Sequence, residues 1–222
     1  MQQQAIQTPA GLAQIEIDKV LRNTYLLLAM TLAVSAVAAF ASIALQIGFG
    51  LAFGFNIAGL ALIWFVLPRT ANSIAGLWVT FAFTALWGAG LGPMLSHYLA
   101  MSNGSFLIMS ALGSTAAAFF LLSGFVLVTR KDLSGMGGFL MVGIIVVILA
   151  MVANIFLAMP IMFLALNAAV VLLMSGFIMY HTSMIIHGGE RNYILAAVGI
   201  YVALVNIFVS LLHLFGAFMG DD

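Results

Sequence analysis

The sequence predicts an all-α integral membrane protein, a seven-transmembrane helix bundle. Three observations predict it. Of 222 residues, 65% are hydrophobic and only 5% charged, whereas soluble domains average about 45–50% apolar and roughly 25% charged. The charges cluster and leave uncharged stretches at 23–68, 70–129, 133–189 and 192–220. Those stretches lack the alternation of barrel strands, so helices, which satisfy their own backbone groups in lipid, are the spanning element. One span needs about 20 apolar residues. Each of the first three stretches therefore holds two spans, and the last holds one.

Each element follows from the charges and the helix breakers. Glu16, Asp18, Lys19 and Arg22 precede the first span, 24–46, which Gln46-Ile47-Gly48 closes. The second, 50–68, stops at Arg69. Pro93, Ser96-His97 and Ser102-Asn103-Gly104 separate the third, 73–95, from the fourth, 105–129. Arg130, Lys131 and Asp132 lead to the fifth, 137–158, and Met159-Pro160 divides it from the sixth, 161–186. Glu190 and Arg191 lead to the seventh, 192–217. A six-span alternative would make 105–129 or 192–217 re-entrant and return the C-terminus to the side of the N-terminus.

With the N-terminus in the cytoplasm, Lys19, Arg22, Arg69, Arg130, Lys131 and Arg191 all face that side, and the opposite loops carry no Lys or Arg. The positive-inside rule favours this orientation, and seven spans then put Asp221-Asp222 outside. The expected organisation is a cytoplasmic tail, 1–23, a transmembrane domain, 24–217, and a short C-terminal tail, 218–222. The first residues are too polar for a signal peptide. Residues 1–10 read as disordered, and 11–23 as a short amphipathic helix with Ile17, Val20 and Leu21 on one side and Glu16, Lys19 and Asn23 on another. Gly50/Gly54 and Gly88/Gly92 have the spacing that lets helix backbones approach. They read as packing within the monomer ahead of a dimerisation face.

Composition also limits the chemistry. Six Lys and Arg balance six Asp and Glu, so there is no basic footprint for nucleic acid. Without Cys there is no disulfide or thiolate nucleophile. Every Asp and Glu falls outside the expected spans, which removes an intramembrane aspartyl protease. No HExxH, no GxSxG around any of Ser110, Ser114, Ser123, Ser175 or Ser210, and no phosphate loop ending in Lys-Ser or Lys-Thr occurs. No cofactor and no metal site are expected. The partner that composition requires is the lipid bilayer.

The ionisable candidates inside the spans are histidines. His97 falls in an outer loop, His187 in a cytoplasmic loop beside Gly188-Gly189-Glu190-Arg191, and His213 near the outer end of the last span. His181, followed by Thr182 and Ser183, lies inside the sixth span near its cytoplasmic end. A charged group there is costly, so the ring points into the bundle. The readings for it are a neutral, hydrogen-bonded structural His, a proton- or ion-sensing gate, or a metal ligand. Asn206, Asn154 and Asn167 are buried amides of the kind that join helices, with a conduction role as the alternative.

Several strings resemble one family. They are Lys19-Val-Leu-Arg-Asn-Thr-Tyr25, Thr129-Arg-Lys-Asp132, Met151-Val-Ala-Asn-Ile-Phe156, Thr182-Ser183, Ile185-Ile-His-Gly-Gly-Glu190, Asn192-Tyr193-Ile194 and Val205-Asn-Ile-Phe-Val-Ser-Leu-Leu212. In this order they are similar to the bacterial YccA branch of the Bax-inhibitor (transmembrane Bax inhibitor motif) family, over about two-thirds of the chain. The resemblance implies seven helices with the last one central, and a bacterial inner-membrane location. It implies a non-enzymatic regulator that binds the membrane-anchored AAA+ metalloprotease FtsH and offers it a cytoplasmic tail, here residues 1–22.

Other family members are implied to leak Ca²⁺ in a pH-dependent way. They use a carboxylate before a Thr in helix six and a second one in helix seven. Those positions match His181 here, and Gly199 or Ala203. Ca²⁺ takes six to eight oxygen ligands, usually including carboxylates, and none of the three residues supplies one. The expectation is therefore a docking regulator. A pH-sensitive Ca²⁺ or proton leak, with His181, Thr182 and Asn206 as its polar core, is the rival. Arg130, Lys131, Asp132, His187, Glu190 and Arg191 are the residues of note in the cytoplasmic loops.

Overall fold

The structure, a computed structural model, describes residues 9–220, with side chains from Gln14 onward. Among these residues it contains seven helices long and apolar enough to cross a membrane. They are α1 Pro9–Ala44, α2 Phe49–Thr70, α3 Ile74–Leu99, α4 Gly104–Thr129, α5 Gly137–Leu157, α6 Pro160–Ile186 and α7 Tyr193–Met219. The two segments considered as re-entrant are continuous helices of 26 and 27 residues, α4 and α7. Residues 1–8, read as part of a disordered tail, and Asp221-Asp222 lie outside the described residues.

The last helix is the axis. In its most apolar stretch 67% of residues are buried, against 6% in α5. α7 packs against α1, α3, α4 and α6, whereas α2 packs on α3 alone, and α5, with the 3-10 turn Ser134–Met136 before it, packs on α6. Apolarity does not select α7 for this place, since the α5 segment has the higher mean hydropathy. Small residues do: Ala196, Ala197, Gly199 and Ala203 let neighbours approach α7 closely.

α1 departs from expectation at its start. It runs unbroken for 36 residues, about 54 Å at 1.5 Å per residue, against a hydrocarbon core of about 30 Å. The segment 11–23 is therefore the first turns of α1, not a separate helix on the surface. No Gly or Pro interrupts the chain between Leu12 and Ile47, so nothing ends the helix at the charged residues.

Two glycines set the α1–α3 seam. A Cβ on Gly88 would overlap the backbone of Ser35, and one on Gly92 would overlap the Ser42 side chain. The Gly88/Gly92 pair thus packs within the monomer, as expected. Gly50 and Gly54 do not, for a Cβ on either would meet nothing within 4 Å. Their face of α2 points away from the bundle.

Prolines act less abruptly than the sequence suggests. Pro93 is buried inside α3, which continues to Leu99, so His97 sits exposed on the last helical turn and not in a loop. In lipid a helix keeps going past Pro when neighbouring groups take over the freed carbonyl. Around Pro68 the ladder is altered locally, and two carbonyls of the preceding turn take side-chain donors. The π-helical turn Leu62–Val66 precedes it, the Thr70 hydroxyl donates to the Val66 carbonyl at 2.9 Å, and Arg69 donates to that of Phe65.

Tyr201 of α7 forms the centre, with no exposed surface. Its hydroxyl donates to Ser35 Oγ on α1 at 2.8 Å. Its ring meets Phe83 of α3 edge-on, with centroids 5.4 Å apart. One side chain thus joins three helices.

Candidate functional site on the charged face

His181 is half-buried on α6. Its ring lies against α7 at Gly199, where an added Cβ would stand 2.5 Å from Cε1 and Nε2. Phe177 and Tyr180 flank it, at centroid distances of 6.0 and 5.5 Å. His181 and Gly199, one of the two α7 positions matched to the family's second acid, thus touch, with imidazole occupying the space that glycine leaves. Ala203, the other matched position, is buried on α7. Thr182 is fully buried; its hydroxyl bonds its own helix at Ile178 O, 2.8 Å away, and lies 3.4 Å from Ser123 Oγ on α4.

The amides behave differently from one another. Asn206 donates to Val202 O of its own helix at 2.8 Å. Asn154 Oδ1 accepts from Met159 N at 3.2 Å and closes the α5–α6 turn. Asn167 does join helices: its Oδ1 is 3.2 Å from His213 Nδ1 on α7. His213 therefore has a partner within the bundle. Among the described residues, no group of three or more His, Asp or Glu is placed to hold a metal ion.

Asp132 and Glu190 both lie in loops. Asp132 is exposed between α4 and α5, and its Oδ1 accepts from Ser134 N at 2.9 Å. That backbone N–H, then the Ser134 side chain, hold its carboxyl below the usual carboxylate range. Glu190 is half-buried between α6 and α7, and its Oε1 accepts from Asn192 N at 2.8 Å.

These two loops meet at one end of the bundle. Arg130 closes α4 in the left-handed conformation, φ 49°. The chain then crosses to the end of α6, where Ser183 Oγ accepts from Leu133 N at 2.9 Å and lies 3.2 Å from the Lys131 carbonyl. His187 lies between the Ser183 carbonyl, 2.9 Å from Nδ1, and the Arg130 carbonyl, 3.1 Å from Nε2. Both partners accept only, so a neutral ring donates to one at a time. Four of the expected loop residues, Arg130, Lys131, Asp132 and His187, are brought together here.

Asn192 makes a second knot. Its Oδ1 caps α7, accepting from Ile194 N and Leu195 N at 2.9 and 3.2 Å. Its amide donates to Ala71 O and Asn72 Oδ1 of the α2–α3 loop at 3.0 and 2.8 Å. Sequence reasoning assigned no role to Asn192 or Ser183. An Asn before an apolar run is a capping signal, but its tie to residue 71 is not local. The loop 187–192 separates two hollows. One of about 440 Å³ faces α1, and an open one of about 770 Å³ faces the α2–α3 loop.

A bundle of seven membrane-spanning helices built on a buried last helix, with its Lys and Arg side chains at one end, defines a polytopic membrane protein. Comparison with known proteins gives the family. The family described as inhibitor of apoptosis-promoting Bax1 matches residues 17–220, and the chain belongs to it. The modulator of FtsH protease YccA of Escherichia coli K12 is 51% identical over 89% of this chain and 90% of its own length. A Vibrio cholerae serotype O1 membrane protein is 43% identical over 94% of the chain and 93% of its own. A Pseudomonas aeruginosa protein is 44% identical over the whole of both chains. The expected YccA-like affinity is thus observed.

Proposed function

We propose that this chain is a non-enzymatic, multi-pass inner-membrane protein that binds and modulates the membrane protease FtsH. The observation that carries the reading is its 51% identity, over nearly the whole chain, to a protein named as a modulator of that protease. An Escherichia coli O6:H1 relative at the same identity is named an inner membrane protein.

The geometry supports docking over conduction. The charged loops are tied to one another by Ser183, His187 and Asn192, which presents them as one surface. With positive charge inside, that surface is cytoplasmic. The contact between His181 and Gly199 supplies no carboxylate for Ca²⁺. The first turns of α1 lie at this same face, beside the α6–α7 loop, where a protease that pulls on the N-terminus would meet the bundle.

Crosslinking in native membranes, followed by affinity recovery of the chain, tests the reading. FtsH is expected in stoichiometric yield. Failure to recover it, together with an unchanged half-life of other FtsH substrates when this chain is overproduced, would overturn the proposal.

A further inference from the structure

We propose that the hollow between α1 and the 187–192 loop is a binding site for a zwitterionic phosphoethanolamine group, supplied by a membrane lipid. Its volume, about 440 Å³, lies in the roughly 300–1,000 Å³ range of small-ligand sites. Each wall carries both signs of charge. Glu16 and Lys19 come from α1, three residues apart and so on one helix face. Glu190 and Arg191 come from the loop opposite. Ile17, Val20 and Ile185 supply apolar lining, and Asn23 and Tyr193 add hydrogen-bonding groups.

Position in the bundle selects the ligand. The hollow lies where α1 passes from its charged turns into its apolar run, where α6 ends at Ile186 and where α7 begins at Tyr193. That is headgroup level, where Tyr is favoured and lipid headgroups are the solute at hand. A phosphodiester suits Lys19 and Arg191, which donate charge-assisted hydrogen bonds to its oxygens. A primary ammonium has three N–H donors and suits Glu16 and Glu190. Glu190 Oε1 already takes one backbone N–H, from Asn192, and an ionised carboxylate has about four acceptor sites. A choline headgroup carries the same charges without N–H donors. A glycerol headgroup carries the phosphate without a cation. The site therefore distinguishes phosphatidylethanolamine from both.

Native mass spectrometry of the detergent-purified full chain, titrated with the three lipids bearing identical acyl chains, tests the proposal. Phosphatidylethanolamine is expected to bind at least fivefold more tightly than phosphatidylcholine or phosphatidylglycerol. K19Q/R191Q is expected to weaken it tenfold. E16Q/E190Q should erase its advantage over phosphatidylcholine, so the site remains testable if the first variant fails to fold. R69Q, on the same face outside the hollow, should bind as wild type. Equal affinity for the three lipids, or unchanged binding in both double variants, would overturn the site. Displacement by equimolar soluble glycerophosphoethanolamine would overturn the lipid as its source.

Discussion

A single hydroxyl at the centre of the bundle gives the first quantitative expectation. Tyr201 donates to Ser35 across the α1–α7 interface, and side-chain hydrogen bonds in membrane proteins contribute about 0.6 kcal/mol on average and up to about 1.7. Full burial puts this one in the upper part of that range, so Tyr201→Phe should destabilise by about 1 kcal/mol. Ser35→Ala should cost about the same, and the double variant little more than either. A double-mutant cycle on unfolding in mixed micelles measures the coupling; additive losses would mean that the bond contributes nothing. Asp132 gives a pH expectation. Its folded-state pKa is lowered by the Ser134 bond, so the turn it closes is stabilised above the ordinary Asp value near 3.9 and loses that contribution as pH falls through the folded value. The Ser134 amide proton should titrate by NMR with a midpoint below 3.9, and Asp132→Asn should abolish the step. A midpoint at or above 3.9 would contradict the hydrogen bond.

Helix seams divide the glycines into two kinds that sequence spacing leaves alike. At Gly88 the missing Cβ is the space that Ser35's backbone occupies, and overpacking a core position costs about 1–3 kcal/mol even where side chains can yield. Gly88→Leu should therefore cost at least about 3 kcal/mol or prevent folding, because backbone has to move. Gly54→Leu, on open surface, should stay within about 0.5 kcal/mol of wild type. Thermal melts of the two variants in one detergent compare them directly, and equal losses would place Gly54 in a seam as well. The spans themselves were legible because lipid imposes length and apolarity on each helix, independently of its neighbours. The start of α1 was not, since charge marks where a helix leaves the bilayer and not where it ends. Nor was the end of α3, because Pro93 is accommodated by packing. Ser183 and Asn192 escaped for a different reason. Their partners lie at Leu133 and Ala71, and no local pattern relates positions that only the assembled bundle brings together. The contact of His181 with Gly199 was half-visible: the family positions marked both residues, while the fit of ring to glycine appears only in three dimensions.

At the scale of the whole molecule, connectivity determines what a pull on the N-terminus has to break. α1 is the first helix a protease would draw out, and it packs on α3, α6 and α7. Tyr201 couples α1 to the central helix, so extracting α1 exposes the axis on which α4 and α6 also rest. The bundle therefore resists removal as a unit, although α2 and α5 at its periphery contribute little to that resistance. If the chain modulates the protease by engaging it and yielding slowly, its half-life depends on two separable quantities: access to the terminus and stability of the bundle. Deleting residues 1–8, which precede α1, removes the first and should lengthen the half-life without lowering the melting temperature by more than a few degrees. Tyr201→Phe lowers the second and should shorten the half-life, since a 1.4 kcal/mol change corresponds to about tenfold in an equilibrium. Combining the two should restore a long half-life, because a weakened bundle without a handle is not pulled. Pulse-chase in cells with and without FtsH measures all three. Equal half-lives for wild type and Tyr201→Phe, given a confirmed loss of stability, would show that extraction is not the slow step and that the chain acts on the protease by contact alone.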